Sequence, residues 1–274
     1  MVSIGCRAHD YGRACAQEMA RRLHDDGWEC GQIVVQKLCE GVSALDAVTG
    51  RDCKAVYEAF AAQGLGTPLL GYYLQPQLPD RAARGEQLAL FCRGLDNSLG
   101  LGGAYVATET GDFPVDGPMS ARRPLFENLV DFFCRAAEHA ERVGAKIAVE
   151  PAAHHTLGSP ELVAELLERV GSETMHVVFD SVNLLTPAFL PEQAAYWRRC
   201  LDAFGEHIVV CHIKDGDYSE GRFVECRLGQ GKLDYSTLFS WLLRQGRDIA
   251  VIREGTSPET GAQECAWLHA HLAR

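Results

Sequence analysis

Short apolar runs alternate with longer amphipathic stretches eight times along this chain. The runs fall at residues 2–8, 31–37, 69–74, 103–107, 146–150, 176–180, 208–213 and 249–253. Apolar runs of this length read as strands, and the stretches between them carry helical periodicity. Helices are expected to begin near Tyr11, Asp52, Arg81, Pro124, Pro160, Pro191, Tyr235 and Gly261. Ser159-Pro160-Glu161 combines an N-cap, a first-turn proline and a first-turn acid. Gly144 and Gly171 stand where helix C-caps belong, just ahead of the next strand.

Strands separated by helices pair in parallel through right-handed crossovers. Eight such units, with no linker or break in composition, favour an α/β fold of the (β/α)8 TIM-barrel type, eight parallel strands with outer helices. The length of 274 residues suits one barrel domain over 1–274, since such barrels need about 250 residues. A doubly wound open sheet is the alternative. It is disfavoured by the lack of GxGxxG after the first strand and of GxxxxGK[ST] anywhere. Gly100-Leu101-Gly102-Gly103 is too short for a phosphate cradle and reads as a loop entering strand four.

Composition narrows the function classes. Lys plus Arg number 26 and Asp plus Glu 37, for a net charge of −11. This argues against nucleic acid as a partner, which needs clustered positive charge. A locally basic pocket for a phosphorylated small molecule stays compatible with it, as does a homo-oligomer. No basic leader followed by an apolar core opens the sequence, and no run approaches the length of a membrane span. The 11 cysteines are scattered without CxxC pairs or zinc-like spacing. They read as reduced, small apolar side chains of a cytoplasmic protein with no membrane association.

In a barrel, the C-terminal strand ends build the active site. Strand five ends in Ala148-Val149-Glu150, strand six in Val178-Phe179-Asp180, strand seven carries Val210-Cys211-His212, and strand eight ends in Ile252-Arg253-Glu254. Side chains two apart share a face of a strand. If Ala148, Val178, Val210 and Ile252 point into the barrel, then Glu150, Asp180, His212 and Glu254 converge on its mouth. A buried charge is costly unless paired or bound to metal. Three carboxylates and one imidazole suit a divalent ion such as Mn2+, Mg2+, Co2+ or Zn2+. Any one acid alone reads equally as a turn cap, and Asp180 and Asp215 are both candidates for that. Four consecutive strands with matching parity make coincidence a poor account.

These segments resemble the xylose-isomerase-like barrel superfamily, which includes ketose 3-epimerases, inosose dehydratases and, more distantly, endonuclease IV. The matching pieces are Val149-Glu150-Pro151, Phe179-Asp180-Ser181-Val182-Asn183, Cys211-His212-Ile213-Lys214-Asp215, Gly229-Gln230-Gly231-Lys232-Leu233-Asp234-Tyr235 and Arg253-Glu254-Gly255. The resemblance implies a metal quartet of Glu150, Asp180, His212 and Glu254, with Mn2+ the first choice, and proton transfers by Glu150 and Glu254. It departs from the epimerase pattern at Asn183, where a histidine is usual. An amide can hydrogen-bond a hydroxyl but is no acid near neutral pH.

The implied activity is a metal-dependent sugar isomerase or epimerase working by proton transfer next to a carbonyl, through an enediolate. The substrate is a small carbohydrate or polyol-derived compound, with or without a phosphate. Strands five and eight lie three apart of eight, roughly 135° around an ideal ring, so their glutamates can flank a substrate. His155, Asn183, Lys214, Arg227, Glu109 and His9 are the candidate substrate-binding residues, each weighed against an ordinary surface or ion-pair role. His154 is a weaker candidate. An inosose-type dehydratase using the same metal site is the alternative. An endonuclease IV-like phosphodiesterase wants more ligands than one quartet supplies, and a non-catalytic sugar-binding barrel is the last reading.

Overall fold

A computed structural model describes residues 1–272. In chain order its elements are β1 (Val2–Arg7), α1 (Ala16–Asp25), β2 (Cys30–Ile33), the single-turn α2 (Val35–Leu38), α3 (Gly50–Ala61), β3 (Gly66–Gly71), α4 (Arg81–Ser98), β4 (Tyr105–Thr108) and α5 (Met119–Val143). Then follow β5 (Lys146–Val149), α6 (Pro160–Val170), β6 (Met175–Asp180), α7 (Gln193–Phe204), β7 (Ile208–Ile213), β8 (Asp215–Ser219), β9 (Arg222–Cys226), α8 (Ser236–Leu243), β10 (Ile249–Arg253) and α9 (Gly261–Leu272).

Eight strands close a barrel in the order β1-β10-β7-β6-β5-β4-β3-β2, and every pairing among them is parallel. The strand parity read from the sequence is realised. Ala148, Val178, Val210 and Ile252 fill the barrel interior together with Leu69 and Ala107. The intervening Val149, Phe179, Cys211 and Val251 belong to the larger core beneath the helices. Phe179 meets Phe204 of α7 edge-on, with ring centroids 5.6 Å apart. Burying one such side chain stabilises the fold by roughly 1.5–3 kcal/mol. The inner and outer clusters therefore lock each strand's register, because a slip of one residue would exchange them.

The helix caps follow local chemistry. The Ser159 side chain accepts from the Leu162 N–H at the start of α6. Gly144 and Gly171 end α5 and α6 in the left-handed region, with φ of 76° and 61°. Two helix starts differ from expectation. Tyr11 closes a 3-10 turn and α1 begins only at Ala16. The helix expected near Pro124 begins at Met119 and carries Pro124 inside it.

The segment after β7 holds structure that the sequence reading treated as loop. β8 and β9 form an antiparallel hairpin, and its two-residue turn is Glu220-Gly221, both with positive φ. That is the turn type whose twist matches a hairpin's own.

Candidate metal centre

Glu150 is the residue after β5, Asp180 closes β6, His212 lies in β7 and Glu254 follows β10. All four are buried, with residue exposures of 2%, 0%, 0% and 8%. One donor atom from each lies within 4.8 Å of all the others. His212 Nδ1 stands 3.4 Å from Oε1 of Glu150 and 3.4 Å from Oε1 of Glu254. Neither approach has hydrogen-bond geometry, and both ring nitrogens of His212 are sealed from solvent without a partner. Orphaned buried nitrogens facing a ring of carboxylate oxygens are a costly arrangement unless a cation is bound there. The four residues fit a divalent ion.

Two cations and one amide order the carboxylates. Lys214 Nζ lies 2.7 Å from Asp180 Oδ2 and 2.9 Å from Glu254 Oε2. Arg7 Nη1 donates to Glu254 Oε1 at 2.9 Å. The Asn183 amide donates to Glu150 Oε1 at 3.0 Å while its oxygen accepts from Lys214 at 2.9 Å. Asp180 also caps the turn after its strand, its Oδ1 accepting from the N–H groups of Val182 and Asn183. The capping reading of this residue therefore holds on Oδ1, and Oδ2 is the oxygen turned toward Lys214.

The electrostatics divide the acids. Burial alone would raise Glu254, but the charges of His212, Lys214 and Arg7 hold it far below the usual carboxylate range. Asp180 moves the other way, pushed up by burial against the pull of Lys214. Burial disfavours the His212 cation, yet the charges of Glu150 and Glu254 override it and raise the group. Glu109 is pushed up to about 7 by burial and by the charges of Glu150 and Glu254. His9 is pressed down to about 4, chiefly by burial.

Glu150 and Glu254 open into a cavity of about 340 Å³ that His9, Glu109, Asn183 and Lys214 also line. Four of the expected substrate contacts therefore face it. Two do not. His155 is buried against the loop after β4, and its neighbour His154 lines the cavity instead. Arg227 is exposed and borders a separate groove with Arg253 and Glu264, because the β8–β9 hairpin delivers it past the mouth. A second cavity of about 470 Å³, walled by Tyr218, Arg222 and Phe223 of that hairpin, shares His154, Asn183 and Lys214 with the first.

Sequence reasoning missed Arg7, Lys37 and Tyr73, which also line the cavity. Strand alternation could have found Arg7 and Tyr73. Arg7 shares parity with Ser3 and Gly5, and Tyr73 with Leu69 and Gly71. Tyr73 is held by Gln32, whose amide donates to its hydroxyl at 2.6 Å. Asp10 ties Arg7 to the last strand, since its Oδ2 accepts from Arg7 and from the Gly255 N–H.

The Asp215 carboxylate explains the Gly229-Gln230-Gly231 segment. It accepts from the N–H groups of Gly216, Gly229, Gly231 and Leu233. A Cβ on Gly231 would fall 2.1 Å from Asp215 Oδ1 and 2.4 Å from the Gly216 nitrogen. Asp215 is a buried turn organiser that anchors the hairpin base beside Lys214.

The model of the family described as Xylose isomerase-like TIM barrel matches residues 20–271. The chain belongs to that family. No curated protein matches this xylose isomerase-like barrel in sequence. Among solved structures it is similar to the 3-keto-D-glucoside 4-epimerase YcjR from E. coli. That likeness has a TM-score of 0.77 at 15% identity and covers 98% of this chain and 100% of that one. A D-tagatose 3-epimerase-like protein aligns with TM-score 0.78 at 16% identity over 98% and 97%. The IOLI protein with a bound zinc atom aligns with TM-score 0.74 at 17% identity over 99% and 98%. At these identities the likeness is one of fold. Among the described residues of this xylose isomerase-like barrel, no helix is long and apolar enough to cross a membrane.

Proposed function

We propose that this chain, acting as a single barrel domain, is a divalent-metal-dependent isomerase or epimerase of a small sugar-like carbonyl compound. The observation that carries the reading is the buried convergence of Glu150, Asp180, His212 and Glu254 on one point beside a polar cavity. Those four would hold the ion, and three carboxylates with one imidazole favour Mn2+ or a similar ion over a softer one. When bound, the ion supplies Lewis-acid stabilisation of negative charge developing on substrate oxygens.

The chain's own groups supply the proton chemistry. Glu254 is kept ionised by Lys214 and Arg7, so it can accept a proton from the carbon next to the carbonyl. Glu150, steered by the Asn183 amide, stands three strands away around the barrel; entering the step in its protonated form, it gives its own proton to the carbon from a different side, while Glu254 keeps the proton it removed. Lys214 and Asn183 bind substrate hydroxyls at the shared wall of the two cavities. Glu109, balanced near neutrality, serves either as donor or as acceptor to a substrate oxygen. The structural neighbours named as epimerases support this reaction class. The 11 cysteines, all free, support a reducing, cytoplasmic setting.

The test is incubation in D2O with Mn2+ and a panel of ketoses, aldoses, inososes and their phosphates. Deuterium incorporation at carbon with formation of an isomeric product and no loss of water is expected, abolished by a chelator and restored by metal. Absence of exchange from metal-loaded protein across the panel would refute the proposal. Release of water in place of exchange would identify a dehydratase.

A further inference from the structure

A second group of metal-ligating side chains stands on the rim of the barrel mouth, outside the quartet. Asp112 lies in the loop between β4 and α5, and His154 and His155 lie in the loop between β5 and α6. The two loops are zipped together by backbone. Asp112 and His155 form an antiparallel bridge. The Phe113 N–H donates to the His154 carbonyl at 2.8 Å and the Thr156 N–H to the Gly111 carbonyl at 2.8 Å. Arg122 donates to the His155 carbonyl from below. The three side chains are thus presented by a fixed backbone, and one donor atom of each lies within 4.8 Å of the others.

We propose that Asp112, His154 and His155 form a second divalent-cation site of zinc type. His155 Nε2 lies 3.6 Å from Asp112 Oδ1. That is too long for a hydrogen bond, but it matches the spacing of about 3.3–3.6 Å between two ligands of a tetrahedral ion bound at 2.0–2.2 Å. The His155 side chain is 5% exposed, and its Nδ1 is sealed off without a hydrogen-bond partner.

Two imidazoles and one carboxylate make a softer set than the quartet's three carboxylates and one imidazole. Three protein ligands also leave a fourth position open, as in catalytic zinc sites. His154 lines both cavities, so an ion held by these three residues would stand at the edge of the barrel mouth. This site does not depend on the isomerase reading.

The experiment is equilibrium dialysis against Zn2+, with elemental analysis of bound metal and absorption spectroscopy of the Co2+ form. Wild-type protein should retain two equivalents, one with tetrahedral Co2+ bands. The double variant Asp112→Asn, His154→Ala changes two exposed residues and should keep one equivalent and lose those bands. His212→Ala should keep the rim equivalent and its bands. Two equivalents in the double variant, or one in wild type that survives the double substitution, would overturn the rim site. A single wild-type equivalent lost in the double variant but kept in His212→Ala would uphold the rim and refute the quartet.

Discussion

Lys214 Nζ sits 2.7 Å from Asp180 Oδ2, so a lysine ammonium and a cation at the quartet draw on the same carboxylate. Two unit charges 4 Å apart interact by about 4 kcal/mol at an effective dielectric of 20. Lys214→Met is expected to tighten Mn2+ binding by about 10-fold or more while lowering kcat, because the same ammonium orients Glu254. Calorimetric titration checks the first effect. Unchanged or weaker binding would show that Lys214 does not compete with the ion.

Asn183 joins Glu150 to Lys214. A hydrogen bond to a charged group contributes roughly 1.5–3 kcal/mol. Asn183→Ala should therefore reduce kcat by about 10- to 150-fold on the substrate found in the exchange screen, with a smaller change in metal affinity. A kcat within twofold of wild type would remove Asn183 from the machinery that positions Glu150.

Glu109 gives the metal-free protein a pH signature. Its folded value of about 7 exceeds its ordinary value of 4.5. The unfolded chain therefore ionises first, and stability falls as pH rises between those two values, by at most roughly 3 kcal/mol. Below that window both states are protonated and the effect vanishes. Glu109→Gln should match wild type near pH 4 and exceed it in urea midpoint at pH 8, both measured with chelator present. Equal midpoints at pH 8 would mean that the carboxyl is not held in its protonated form.

Arg253 and Glu264 form a buried pair between β10 and α9, at 2.8 Å with side-chain exposures of 2% and 4%. Removing one member strands the other's charge, a loss of about 3–5 kcal/mol. Glu264→Ala should show that loss in urea unfolding. Arg253→Met should also free Glu225 of the hairpin and raise KM more than it lowers kcat. Metal stoichiometry should hold in both variants, because Arg253 points away from the quartet. A Glu264→Ala change below 1 kcal/mol would mean that solvent reaches the pair.

Much of this protein follows from its chain alone. The period-two pattern of Ala148-Glu150, Val178-Asp180, Val210-His212 and Ile252-Glu254 decides which face of each strand is interior, since side chains alternate strictly along extended backbone. Eight repeats of strand and helix decide the closed parallel sheet. Once both are set, the quartet must converge. Asp215 was legible only in part: its identity as an acid after β7 is local, but its four N–H partners come from residues up to Leu233.

Tertiary structure alone decided the rest. Which of His154 and His155 faces the cavity depends on how the β4 and β5 loops zip together, and loops carry no periodic signal. Arg227 left the site because the polar β8–β9 strands bury too little apolar surface to announce themselves. Arg7 entered it because barrel closure sets β1 beside β10, placing the guanidinium against Glu254 across 247 positions of sequence. Strand alternation states which way a side chain points; only closure of the ring states what it meets.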